Sequence, residues 1–229
     1  MGRRKQQPAS VHRNAIADAA QALFMERGME AVSMDDIARA SGYSKATLYV
    51  YFKNRDEIVR VLVLKSMQKL HDYLEDGLGT EGTAEERYRS VCHALTRYEH
   101  EYPYYFGMVL DEIKIDAEPE FHDGDTAKTR TQVDLDERAI YLTGEHINEM
   151  LVQFLTEGVK AGDLRADLKP LPTVFAFWGM LSGFICMADK KDAYIGMSMG
   201  MSRQEFLEYG FSMLYRAISN PKKGGATHA

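Results

Sequence analysis

The chain has 229 residues, 45% of them apolar and 27% charged, and carries a net charge of −6. That length buries a substantial core in one large or two smaller domains, and the overall acidity taken alone argues against a nucleic-acid partner. The distribution of charge reverses this: residues 1–60 hold 10 Lys/Arg against 7 Asp/Glu, and the rest hold 18 against 27, a basic head on an acidic body. Cys92 and Cys186 lie far apart, match no metal or redox spacing, and are expected as reduced core thiols. The start MGRRKQQP has charge with no apolar stretch behind it, and Gln6 stands where a myristoylation signal needs Ser or Thr, so a cytoplasmic protein is expected.

Period 3.6 recurs along the chain with no convincing alternation, which predicts an all-α fold. A basic flexible arm with Arg3, Arg4 and Lys5 is expected over 1–10, a small helical head over 11–56, a helical body over 57–220 and a disordered tail over 221–229. Ile16, Ala19, Ala20, Leu23 and Phe24 form the face of a first helix ending near Gly28. Ser33 with Asp36 spells a capping box for a short second helix, Ser41-Gly42-Tyr43 turns the chain, and Ser44 caps a third helix holding Leu48 and Phe52. Asn54 with Glu57 starts a long helix to about Asp76. Thr83 with Glu86 starts another over 84–101, and Pro103 opens one over 103–115. A polar, mobile loop is expected at 116–130, then helices over 135–161, 171–188 and 202–219.

Residues 33–53, SMDDIARASGYSKATLYVYFK, have the build of a helix-turn-helix, whose second helix enters the DNA major groove. Ser44 caps that helix while neighbouring N–H groups face a phosphate. Lys45 and Ala46 occupy the leading turn, where a cation reaches guanine and a methyl packs on thymine. Thr47, Tyr49, Tyr51 and Lys53 offer hydroxyl and ammonium donors for the backbone, with both tyrosines exposed, while Leu48 and Phe52 point inward. The bland alternative is an αα-hairpin with a polar face.

The stretch SMDDIARASGYSKATLYVYFKNRDEI, with NAIADAAQALFMERGMEAVS before it, resembles the signature of the tetracycline-repressor family of bacterial regulators over about 50 residues. The resemblance implies phosphate contacts for Ser33 and Thr47, major-groove positions for Lys45, Ala46 and Tyr49, and a backbone clamp from Tyr51 and Lys53. Val50 departs from the polar residue many members carry there. The basic arm either adds phosphate or minor-groove contacts or is simply solvated. The resemblance further implies a body that pairs through its last two helices and encloses a small-molecule pocket.

Thirteen methionines, together with Tyr105, Met108, Phe154, Phe175 and Trp178, suggest an adaptable apolar cavity in which His93 and Glu112 orient a polar group; the same residues at helical spacing also simply fill core. The segment 171–188 reaches the minimum length for a membrane span, but Pro172, Thr173, Ser182 and the lack of a second segment favour a helix buried on most sides. Gly179 and Gly183 in it let another helix approach closely. GLGTEG at 77–82 follows a helix rather than a strand and is read as a loop, and HDGD at 122–125 fails the spacing of a calcium loop. No histidine or carboxylate constellation suits catalysis or a metal, and no cofactor is expected. The sequence therefore predicts a cytoplasmic homodimeric repressor that binds double-stranded palindromic operator DNA and releases it on binding a small effector, with no membrane partner. The alternatives are a DNA-binding protein governed by a protein partner or acting architecturally, and an all-α carrier or enzyme whose head is incidental.

Overall fold

The computed structural model describes residues 8–113 and 132–221. Arg3, Arg4, Lys5, the 116–130 loop, the side chain of Glu112 and the tail from 222 lie outside the described residues. Among the described residues the regular structure is helical, apart from one isolated antiparallel bridge between Leu164 and Ser219. Helices α1 (Ala9–Arg27), α2 (Met34–Ser41), α3 (Lys45–Tyr51) and α4 (Arg55–Leu78) are followed by α5 (Ala84–Glu101) and α6 (Pro103–Ile113). Then come α7 (Gln132–Lys160), α8 (Pro170–Lys190), the single turn α9 (Asp192–Tyr194) and α10 (Arg203–Ile218). A 3₁₀ turn over Met29–Ala31 and a π turn over Ile195–Met199 occupy two of the connections.

The helix boundaries follow local chemistry. Ser33, Thr83 and Ser202 each accept a hydrogen bond from the backbone three residues on, and the acidic residue there accepts from the cap's own N–H. At α4 the same exchange is shifted by one residue, because Glu57 N–H donates to Asn54 Oδ1 at 3.0 Å while Lys53 N–H donates to Glu57 Oε2 at 2.9 Å. Gly42, at φ 74°, closes α2 in the left-handed conformation that side chains avoid, and this lets α3 turn away.

The chain divides into two compact units, with the divisions falling within α4, α6 and α7. The first comprises residues up to Met67 together with Gly107–Leu142. Its core is built from Ile16, Ala20 and Phe24 of α1, Ile37 of α2, Leu48, Phe52, Ile58 and Leu62, all buried. Ion pairs between Lys65 and Asp18 at 2.6 Å and between Arg60 and Glu137 at 2.8 Å link α4 to α1 and to α7 within this unit.

The second unit comprises Gln68–Phe106 and the chain from Thr143. Leu74, Val91, Leu95, Phe154, Ile185, Leu207 and Phe211 are buried in it. Helix α8 is only partly buried within the single chain. Val174, Leu181, Ser182, Ile185 and Ala188 are buried, but Phe175, Met180 and Met187 are exposed, and only 28% of its most apolar stretch is buried. By length and composition it is long and apolar enough to cross a membrane. A Cβ on Gly179 or Gly183 would touch nothing, so neither glycine serves packing within this chain.

Gly210 does the opposite. A Cβ there would collide with the ring of Phe184, which is itself held against Phe206 and Phe211 at centroid distances of 4.8 and 6.1 Å. The glycine therefore sets how closely α10 approaches α8. Gly210→Ala should destabilise the second unit by about 1–3 kcal/mol, the usual cost of overpacking. Urea unfolding would show this, whereas an unchanged midpoint would mean that Phe184 swings aside freely.

Candidate nucleic-acid interface and body cavity

Helix α3 is seven residues long, too short to persist without tertiary support. Ser44 caps it by accepting from Thr47 N–H at 3.1 Å, and the two hydroxyls lie 2.7 Å apart. Leu48 and Phe52 are buried and fix which face points outward. That outer face carries Lys45, Ala46, Tyr49, Val50 and Lys53, with Tyr49 45% and Val50 79% exposed. Lys45 Nζ sits 2.8 Å from Asp35 Oδ1 of α2, so the ammonium is paired rather than free, and this hydrogen bond holds it firmly charged. Ser33 is exposed and engaged with Asp36, whose carboxyl is held below its ordinary range by the Ser33 hydroxyl and backbone N–H.

Tyr51 departs from the expected exposed position. It is half-buried, stacked on His12 at 5.3 Å and edge-on to Tyr43 at 6.3 Å, while His12 Nδ1 lies 2.6 Å from the Tyr43 hydroxyl. These rings join α1 to the turn and to the end of α3. Arg13 completes the joint. It donates to the Tyr51 carbonyl at 2.7 Å and to Asp136 Oδ2 at 2.5 Å, with its guanidinium 4.3 Å from the Phe52 centroid. Both members of the Arg13–Asp136 pair are 11% exposed. Sequence reasoning missed them, since partners 123 residues apart leave no local signal.

In the second unit, an apolar cavity of about 50 Å³ lies among α4, α5, α7, α8 and α10. Phe154 and Trp178 line it with Leu74, Tyr88, Leu95 and Phe177. Phe175 points away and is 58% exposed; Tyr105 stacks on Tyr102 at 6.0 Å; His93 Nε2 sits 2.6 Å from Glu208 Oε1 beside a surface groove. Met108 is buried in the first unit. Of the seven candidates, the structure thus brings Phe154 and Trp178 to this cavity. Periodicity placed aromatics on helices, but could not say which of two faces, inner or outer, each would occupy. Cys92 is buried, its thiol pushed up to about 12 by that burial, and among the described residues no group of three or more His, Cys, Asp or Glu is placed to hold a metal.

A capped short helix held at the front of a three-helix head, its polar face outward, defines a helix-turn-helix DNA-binding protein. Residues 16–62 match the family of bacterial regulatory proteins, tetR family, so the head is a tetR-family DNA-binding domain. The HTH-type transcriptional regulator TtgR of Pseudomonas putida is 35% identical over 74 residues, a match spanning 32% of this chain and 35% of that protein. The HTH-type transcriptional repressor KstR2 of Rhodococcus jostii is 27% identical over 165 residues, 69% of this chain and 71% of that one. Among solved structures, the TetR family transcriptional regulator PfmR of Thermus thermophilus is 25% identical with a TM-score of 0.61, covering 89% of this chain and 95% of that one.

The joint at Arg13 has a measurable consequence. Asp136→Ala leaves a mostly buried guanidinium short of its anion, and should destabilise the first unit by about 3 kcal/mol. Chemical denaturation followed by circular dichroism would report it, and a loss below about 0.5 kcal/mol would class the pair with ordinary surface ion pairs.

Proposed function

We propose that the chain is a cytoplasmic, homodimeric transcriptional repressor, rather than an enzyme, that binds a palindromic operator and releases it when a small, largely apolar effector enters the body. The observation that carries this reading is the outward face of α3, with Lys45, Ala46 and Tyr49 at its leading end and no core role to explain them. Lys45 and Ala46 meet base edges, Tyr49 meets a base or the backbone, and Ser33, Ser44, Thr47, Tyr51 and Lys53 hold phosphates. Tyr51 also locks α3 to α1 through His12. Lys45 must leave Asp35 to reach DNA, so Asp35 sets how readily it does so. Repression, rather than activation, is supported by the name of the KstR2 relative.

The second copy covers the exposed apolar face of α8 and α10. Phe175, Met180, Met187, Tyr209 and Met213 stand exposed there, flanked by two glycines that leave room for a facing helix. Pairing two helices from each copy about a dyad makes a four-helix interface and presents two heads to an inverted repeat. Met213→Glu should yield a monomer by light scattering and lose operator affinity by a hundredfold or more, on the order of 10². A variant that stays dimeric would place the interface elsewhere.

The cavity supports effector control through its size. At about 50 Å³ it is smaller than the roughly 150 Å³ that admits benzene, so a ligand must select a more open body. A ligand that binds the open state better shifts the population towards it, which is the differential affinity that release of DNA requires.

For DNA binding itself, affinity should fall steeply with salt, as phosphate contacts demand. Lys53→Ala should weaken all duplexes alike by about tenfold, whereas Lys45→Ala should alter the ranking of operator variants. Gel retardation over a set of single-base operator changes checks both. Equal losses on every duplex for the two variants would overturn the assignment of Lys45 to base readout.

A further inference from the structure

The cavity of the second unit contains one feature that core packing does not explain. Among the described residues its lining includes no Lys, Arg, His, Asp or Glu, and Thr173 already donates its hydroxyl to the Lys169 carbonyl at 2.8 Å. Tyr88 is 3% exposed, lines the cavity, and its hydroxyl has no hydrogen-bond partner. Its ring is held between Tyr215 at 5.2 Å and Phe177 at 6.2 Å, so it is not free to turn towards solvent. The Cys92 thiol one turn along interacts electrostatically with the hydroxyl, but a thiol is a weak acceptor and the geometry leaves the hydroxyl without a hydrogen-bond partner. A buried hydroxyl left unpaired is costly, and such groups in a folded protein call for an explanation.

We propose that the Tyr88 hydroxyl is a polar anchor of the effector site, and that the effector is a neutral, hydrocarbon-rich molecule bearing a hydrogen-bond-accepting oxygen, such as a ketone or an ester. Burial holds the phenol well above its ordinary range, so it remains a donor at neutral pH. An anionic ligand is disfavoured, because among the described residues no cation lines the cavity to compensate for desolvating a carboxylate. The apolar walls from Leu74, Leu95, Phe154 and Trp178 take the hydrocarbon part. This inference rests on the effector-binding reading above, but its test does not pass through DNA.

Trp178 is the chain's one tryptophan and lines the cavity, so its fluorescence reports occupancy directly. The probes are heptan-2-one, heptane and heptanoate, titrated into the full chain by Trp178 emission and by thermal shift. Heptan-2-one should bind more tightly than heptanoate. Tyr88→Phe should weaken heptan-2-one about tenfold, the worth of one hydrogen bond, and leave heptane unchanged. The unliganded Tyr88→Phe protein should melt at the same temperature or higher, since the change removes an unsatisfied hydroxyl. A lower melting temperature, with heptan-2-one affinity retained, would make Tyr88 an ordinary structural residue and overturn the proposal. Tighter binding of heptanoate would overturn the neutral class, and no response to any probe would overturn the site. Loss of operator recognition with probe binding intact would instead sink the regulator reading and leave this one standing.

Discussion

The outward face of α3 exists because its inward face is pinned. Leu48 and Phe52 are essentially without solvent exposure, and a seven-residue helix held by those two side chains has no freedom to roll. Ser44 supplies the start, Gly42 supplies the turn, and Arg13 closes the end by donating to the Tyr51 carbonyl. Each of these acts on backbone groups that a helix terminus leaves unpaired. A protein that reads base edges needs side chains placed to within a hydrogen bond, and this head obtains that placement from its core.

Arg13 gives the head a dependence beyond its own three helices. Its second hydrogen bond goes to Asp136 at the start of α7, and Arg60 pairs with Glu137 one residue on. The end of the candidate recognition helix and the beginning of α7 are therefore joined through one guanidinium. Helix α7 continues to Leu151, Phe154 and Leu155, which line the body cavity.

The head was largely legible in the sequence because its determinants are local. The capping box at Ser33, the Gly42 turn and the four-residue spacing of Leu48 and Phe52 all operate within a few residues, and each appears where the spacing predicted. What was illegible involves choice of face or distant partners. The apolar run 171–188 read as a helix buried on most sides, and hydrophobicity alone does not distinguish a face packed within the chain from one left exposed on it. Tyr51 read as exposed because its ring partners, His12 and Tyr43, lie on another helix and a turn. Tyr88 passed unnoticed, as one aromatic among many, because an unpaired hydroxyl is a property of surroundings rather than of composition.

The central claim is that α3, presented twice by a paired chain, reads duplex DNA. Selection of bound sequences from a pool of random duplexes, using the full chain, tests it most directly. The account predicts enrichment of an inverted repeat whose half-site centres lie about one helical turn or a multiple of it apart. Recovery of sequences without a repeat, or no enrichment over the starting pool at low salt, would contradict it.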